Sequence, residues 1–182
     1  QYRYQAVFGR VNVNHNGKYV LNLTGRRDGS SRFGPEKRFS NFGAIGAAWI
    51  FSEEPLLKEH VPWLSFGKLR ASLGTSGNDQ IGDYQYLDTY SFGIDQYQNS
   101  VGIFPTRLFN PNFSWESNEK REVALELGML GDRIRLNAAH YRNTSSNQLV
   151  GIPLPATTGF SSVNDNLNAT VLNEGWEFGL NA

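Results

Sequence analysis

Apolar and polar residues alternate one by one along several segments of this 182-residue chain. Because successive side chains of a β-strand point to opposite faces, this period predicts strands with one apolar and one polar face. The side chains assigned to the apolar face are Val11, Val13, Leu21, Leu23, Ile45, Trp49, Leu69, Leu73, Leu125, Leu127 and Leu136. Those assigned to the polar face include Arg10, Arg26, Arg70, Glu122, Glu126 and Arg135.

Two short turns are predicted from the need to keep these faces in phase. A two-residue turn at Asn16-Gly17 would place Val13 on the face of Asn22, so we expect a three-residue loop over residues 15–17 that pairs Val13 with Tyr19. A two-residue turn at Gly131-Asp132 keeps the phase. It pairs Leu127 with Leu136 and leaves Arg135 diagonal to Glu126, as a potential ion pair.

The other connections are predicted to be long, over residues 28–41, 76–114 and 144–166, where Gly, Pro, Asn and Asp are frequent. Between the third and fourth strands we expect one short helix over residues 54–58, with Ser52 as its N-cap and Pro55 in its first turn. Tight turns at one end and long loops at the other are typical of antiparallel outer-membrane barrels. A secreted β-sandwich that binds carbohydrate remains the alternative.

Composition narrows the function classes. Seventeen basic and seventeen acidic residues give no net charge, so there is no electrostatic signature of a nucleic-acid binder. There is no cysteine, and the mean hydropathy is −0.46. The longest mostly apolar run, residues 43–51, is far shorter than the ~20 residues of a membrane-spanning helix but suits a tilted spanning strand. The chain lacks a starting methionine and stops within an alternation, so we expect a piece of a longer protein.

The long connection over residues 76–114 is rich in aromatic residues. Flat rings stack on sugars, and Tyr hydroxyls donate hydrogen bonds to their rims, so these residues are candidates for contact with a substrate or with a partner that covers it. The alternative is that they pack the loop against itself. The candidates are Tyr84, Tyr86, Tyr90, Phe92, Tyr97, Phe104 and Trp115.

The sequence gives little support for a metal site, an anion-binding loop or a catalytic site. Asn78, Asp79 and Asp83 loosely resemble a calcium loop but lack its terminal glutamate, and no two of the three histidines have metal-ligand spacing, so we predict neither a metal nor a cofactor. A basic loop could attract acidic substrates or lipopolysaccharide, or simply pair with neighbouring acids; it contains Arg26, Arg27, Arg32, Lys37 and Arg38. No catalytic motif is present, and nothing favours a glycoside hydrolase, so we expect no enzyme.

Several motifs resemble one family in order along the chain. They are residues 8–12 (FGRVN), 26–34 (RRDGSSRFG), 49–55 (WIFSEEP), 68–86 (KLRASLGTSGNDQIGDYQY), Asn110-Pro111 with Trp115-Glu116, and 153–160 (PLPATTGF). Together they resemble the SusC/RagA family of TonB-linked outer-membrane transporters over nearly the whole chain.

The resemblance implies an all-β fold, an antiparallel transmembrane barrel of about 22 strands, of which residues 1–182 would supply about seven as a partial barrel domain. The plug domain and the carboxyl-terminal strands would lie outside this chain. It also implies the outer membrane of a Gram-negative bacterium, import of glycan fragments or peptides, a SusD-like lipoprotein lid, and energy from a TonB complex that acts through N-terminal regions. The side chains assigned above to the apolar face would face lipid, and those assigned to the polar face would face the lumen.

Overall fold

The computed structural model describes residues 1–97 and 100–182, with the side chains of residues 94–97 outside the description. Seven antiparallel strands form one open sheet in the order β1-β2-β3-β4-β7-β8-β9, and β5 and β6 form a separate ribbon. The strands are β1 Tyr4–His15, β2 Tyr19–Ser30, β3 Phe39–Trp49, β4 Leu64–Asn78, β5 Thr89–Tyr97, β6 Ser100–Arg107, β7 Glu116–Met129, β8 Ile134–Pro153 and β9 Ser162–Asn181. One short helix, α1, spans Pro55–His60. The predicted all-β architecture with about seven barrel-type strands is confirmed.

The pairing register keeps the two faces separate throughout the apolar alternation, and it shifts only at the start of β4 and midway along β8. Val11 pairs with Leu23, which pairs with Ile45, and Ile45 pairs with Leu73. One position away, Arg10 pairs with Thr24 and projects to the opposite face. Every residue predicted for the apolar face lies on one side of the sheet, and every residue predicted for the polar face lies on the other.

The apolar face is not covered by another layer of protein. Val11 is 57% exposed, Leu23 40% and Leu125 36%. Among the described residues the buried aromatic cluster lies at one end of the sheet, where the long connections meet. A β-sandwich buries its alternating side chains between two sheets, so the predicted alternative of a sandwich is wrong. No helix in the described part of the chain is long and apolar enough to cross a membrane.

Both short turns keep the apolar side chains on one face, as predicted, but the first turn lies one residue later than predicted. Val13 pairs with Leu21, not Tyr19, so the three-residue loop is Asn16-Gly17-Lys18 and the predicted register is wrong by two residues. Asn16 and Gly17 both adopt positive φ, 55° and 68°, which these two residue types tolerate best. At the second turn Leu127 pairs with Leu136 as predicted.

The long connections are shorter than predicted because the strands continue beyond the apolar alternation. β2 reaches Ser30, and β8 and β9 leave only residues 154–161 between them. The connection predicted over residues 76–114 contains the β5–β6 ribbon. In these extensions backbone pairing holds polar segments such as residues 144–146 in strands, so side-chain periodicity does not reveal them.

The helix lies close to its predicted position, but its anchor differs. Glu54, not Ser52, is the residue before the first turn, and it makes no side-chain cap. Its carboxylate instead accepts hydrogen bonds from Tyr19 at 2.8 Å, Lys18 at 3.1 Å and the Trp49 indole at 3.3 Å. These bonds, led by that from Tyr19, lower the pKa of Glu54. Glu54 therefore attaches the helix to the ends of β2 and β3.

We expect acid to release this helix. A carboxyl whose pKa is lowered by folding contributes stability above its ordinary pKa, and loses it as the pH falls through the lowered value. In hydrogen exchange of the protein that contains this sheet, peptides over residues 51–60 should exchange several-fold faster once the pH falls below the ordinary pKa of a glutamate, about 4.3. Glu54→Gln should exchange fast at neutral pH and show no acid step, whereas Glu53→Gln should keep it. An acid step in Glu54→Gln would contradict this assignment.

Candidate functional site

An aromatic core joins the long connections at one end of the sheet. We call it the loop core; it comprises Phe33, Phe42, Tyr86, Phe113 and Trp115. The Phe33 side chain is fully buried, with its ring centroid 5.1 Å from that of Trp115 and 6.0 Å from that of Phe113. The open sheet encloses no comparable interior, so these rings fix the loops relative to the strands.

Polar side chains of two connections complete this attachment. The Asn110 amide donates to the Asn164 carbonyl at 2.9 Å and to the Asp165 carboxylate at 2.8 Å. The Asn166 side-chain oxygen accepts from the Ser114 backbone N–H at 2.8 Å, and the Trp115 indole donates to the Arg38 carbonyl at 3.0 Å. The start of β9 is therefore bonded to the segment that precedes β7.

The aromatic residues predicted to contact a substrate or partner fall into separate groups. Tyr86 and Trp115 are buried in the loop core at 8% and 7% exposure, so neither ring has a free face for stacking, and they pack the loop instead. Tyr84 donates its hydroxyl to the Gln1 carbonyl at 2.7 Å. Tyr90, Phe92 and Phe104 are exposed by 61%, 75% and 49%. The Tyr97 side chain lies outside the described residues.

The exposed group belongs to the β5–β6 ribbon. Tyr90 pairs with Pro105 and Phe92 with Ile103, so these four side chains share one face of the ribbon, which we call the ribbon face. At the base, Arg107 donates to the Leu87 carbonyl at 2.8 Å and to the Gln85 side chain at 2.9 Å. The ribbon is thus held at its base and presents an apolar surface to its surroundings.

The basic loop pairs largely with neighbouring acids and aromatic rings. Arg26 lies 2.8 Å from the buried Asp28 carboxylate. Arg32 lies 3.1 Å from Asp83 and has its guanidinium 4.3 Å from the centre of the Tyr2 ring. Arg27 lies over Phe39 at 5.2 Å. These contacts favour the structural interpretation of the loop over attraction of acidic substrates.

The residues compared with a calcium loop are used in internal contacts. Asn78 donates to Glu116 and accepts from the Gln80 backbone N–H, and Asp79 accepts from the Tyr2 hydroxyl at 2.9 Å. Across the described residues, no group of three or more His, Asp or Glu side chains is placed to hold a metal ion.

A network of charges lies on the polar face where β4 and β7 pair. Arg70 bonds to both Glu122 and Glu126, and Lys68 lies 3.4 Å from Glu126. The predicted pair between Arg135 and Glu126 is not formed, because Glu126 faces β4 and Arg135 lies 3.1 Å from Asp132 in its own turn. Ala124, between these long side chains, is 1% exposed.

Comparison with known proteins identifies the architecture. The family model described as TonB dependent receptor-like, beta-barrel, matches residues 1–182. The chain belongs to this family. It is 34% identical to TonB-dependent receptor P39 of Formosa agariphila and 32% identical to TonB-dependent receptor SusC of Bacteroides thetaiotaomicron, in each case over 97% of this chain. The resemblance predicted from the motifs is confirmed, and the family places the chain in the outer membrane of a Gram-negative bacterium.

Solved structures agree with this identification. The RagAB peptide importer in its closed-closed state superposes over 98% of this chain with a TM-score of 0.88 and 27% identity, and its open-open state gives the same TM-score. The chain spans 17% of the P39 receptor, 18% of SusC and 19% of that RagAB chain. It thus corresponds to less than a fifth of the relatives it matches.

Some residues that build this region were not predicted from the sequence. Phe33 and Phe42 lie in the basic loop motif and in β3, and neither was assigned to an aromatic site. Asn110 was predicted only as part of a family motif, and Asn166 only as the end of a long connection. The available signal was the position of Phe33 within a strongly polar motif, where a large apolar side chain needs a partner.

Removing the centre of the loop core should release the connections without unfolding the sheet. For Phe33→Ala in the full-length parent, we expect the local opening free energy of residues 31–38 and 108–115 to fall by about 3 kcal/mol, from lost burial and the cavity left behind. Hydrogen exchange measures this. Phe92→Ala removes an equally large but exposed ring and should leave both segments unchanged; equal effects from the two variants would contradict the loop core.

Proposed function

We propose that this chain is a segment of an outer-membrane transporter that imports oligosaccharides or peptides, and that it supplies barrel wall and extracellular loops. The observation that carries the proposal is the uncovered apolar face of a seven-stranded sheet, in a chain of the TonB-dependent receptor family. Hydrocarbon is the surroundings in which such a face is stable, and only a closed barrel pairs all backbone groups there. In this proposal the parent protein supplies the strands that pair with β1 and β9, together with a plug domain.

The apolar face is the lipid-facing side in this proposal, and the polar face lines the lumen. Tyr19 and Trp49 lie side by side near the short-turn end of the apolar face. Such positions are typical of the aromatic girdle at a membrane interface. The charges of Lys68, Arg70, Glu122 and Glu126 then lie in the watery interior, where they neutralise one another.

The upper border of the apolar face supports a tilted barrel wall. Toward the long connections, the first polar side chain on this face is Gln5 in β1, Arg27 in β2 and Arg121 in β7. Compared at paired positions, the border shifts by about six residues, roughly 20 Å, from β1 to β7 and does not shift from β7 to β9, while the strand spacings from β1 to β9 sum to about 29 Å. A border parallel to the membrane then requires an average strand tilt of about 35°, within the range of outer-membrane barrels.

The ribbon face is our candidate for contact with a SusD-like lipoprotein lid. An isolated two-stranded ribbon has little stability of its own, so an apolar face that is 61% exposed at Tyr90 and 75% at Phe92 requires a partner surface. It lies at the long-connection end, which faces the cell exterior in such barrels. SusC and the RagAB peptide importer are the relatives that motivate a lipoprotein partner and a glycan or peptide substrate. TonB would supply the energy through the plug.

The membrane assignment predicts a face-specific cost of charge. In the full-length parent, Leu23→Arg should cost about 2–4 kcal/mol because the guanidinium enters hydrocarbon. Thr24→Arg, one residue away on the polar face, should cost much less. Folding into lipid vesicles, followed by chemical denaturation, measures both values. Equal costs would contradict the assignment of the faces. Ala124 is not a suitable control, because it is buried between Arg70 and its partners.

The lid assignment predicts that charge on the ribbon face disrupts the complex. Phe92→Asp with Ile103→Asp should abolish co-purification of the parent protein with its lipoprotein and reduce uptake of labelled oligosaccharide or peptide at least tenfold. Ser91→Asp, on the other face of the ribbon, should affect neither. Loss of uptake with the complex intact would instead indicate direct contact with substrate.

Transport itself is tested in cells. A strain that lacks the parent gene should fail to grow on the oligosaccharide or peptide fraction that the wild type consumes, and disruption of TonB should have the same effect. Growth that is unchanged on every such fraction would contradict the proposed function.

A further inference from the structure

A row of charges ends the apolar face in the last three strands of the sheet. Arg121 in β7 pairs with Arg142 in β8, and Arg142 pairs with Glu174 in β9. We call these three residues the charged border. Two positions toward the short turns, the same face carries Val123, His140 and Trp176. The change from apolar to charged thus takes place within one step of the strand period in β7 and β9, and in β8 the polar His140 precedes Arg142.

The positive charges of Arg121 and Arg142 are only partly neutralised by neighbouring carboxylates. They lie directly opposite each other, an arrangement that repels like charges. Arg121 lies 2.5 Å from Glu119, but Arg142 is 3.9 Å from Glu174, whose other oxygen lies 3.2 Å from His140. The arginine side chains are 62% and 53% exposed. Exposed ion pairs of this kind are weak, so both guanidiniums keep N–H donors available on the outward side.

The neighbouring side chains locate these donors at the edge of the hydrocarbon. The rings of Trp176 and Phe178 stack with centroids 6.0 Å apart and planes within 7° of parallel, and both are exposed on the apolar face. Indole rings are enriched where hydrocarbon meets headgroups. Leu172 alone continues the apolar positions of β9 beyond Glu174. The charged border therefore lies at headgroup depth on the side of the long connections.

We propose that Arg121 and Arg142 together bind a phosphate of an anionic lipid headgroup in the outer leaflet, a proposal that rests on the proposed membrane function. Guanidinium groups match phosphate with paired N–H donors, and an anion between two opposed arginines removes their repulsion. Glu119 and Glu174 compete with the lipid for the same donors. The site thus attaches the barrel wall to its lipid surroundings at one height.

The test uses the purified full-length parent in mild detergent. Native mass spectrometry measures the binding of a diphosphorylated lipid A glycolipid, with phosphatidylcholine, whose phosphodiester is neutralised by its own choline, as the zwitterionic comparison and inorganic phosphate as the free anion. Arg121→Gln with Arg142→Gln should weaken lipid A binding roughly tenfold or more, since two charge-assisted hydrogen-bonding groups are lost. The control is Lys120→Gln with Arg133→Gln, which removes the same amount of charge. Lys120 lies on the opposite face of the sheet and Arg133 at its opposite end, so the lipid A affinity should be unchanged.

A second pair of variants separates lipid binding from a structural role. The double variant Glu119→Gln with Glu174→Gln frees both arginines and should tighten lipid A binding several-fold. If the four side chains formed only a structural ion-pair network, the arginine variants and the glutamate variants would both weaken that network, and neither would tighten lipid A binding. Unchanged lipid A affinity in the arginine variants, or equal displacement by inorganic phosphate, would overturn the headgroup site. Those results would leave the proposed function intact, because the proposed function is contradicted only by the Leu23→Arg experiment or by the growth experiment.

Discussion

The strict phase of strand pairing is the constraint on which the rest of this structure depends. Each strand carries two chemistries with a period of two residues, and a slip of one residue would exchange them. Through the apolar alternation no such slip is present, so Val11, Leu23, Ile45 and Leu73 share one row, and the charged cluster around Arg70 lies on the other face. Register irregularities occur only at the start of β4 and in the polar extension of β8. This phase gives the sheet two surfaces suited to different surroundings, although neither surface is buried within the chain itself.

Because the sheet has no interior of its own, the loops need a separate source of stability. The loop core supplies it, with Phe33 at its centre and Asn110 and Asn166 bonding the connections to each other. This arrangement combines a rigid base with a projecting ribbon held by Arg107.

The borders of the apolar face connect local chemistry to the surroundings. At the short-turn end, Tyr19 and Trp49 donate to Glu54, so these two aromatic side chains also hold the helix. At the other end Arg121 and Arg142 terminate the face, and the border follows a line inclined to the strands. The inclination comes from the stagger between neighbouring strands, which in a barrel is linked to tilt.

The sequence by itself determined the fold class, the two faces and the family, because a period of two is a local property and its motifs lie at strand ends. It also determined that both turns keep the phase, although the loop at Asn16 was placed one residue early. Tertiary structure alone decided how far β2, β8 and β9 continue, since backbone pairing there needs a partner strand and leaves no side-chain pattern. It likewise decided that Tyr86 and Trp115 are buried while Tyr90 and Phe92 are exposed. All four are aromatic residues of one polar segment, and only contacts with residues distant along the chain, such as Phe33, separate them.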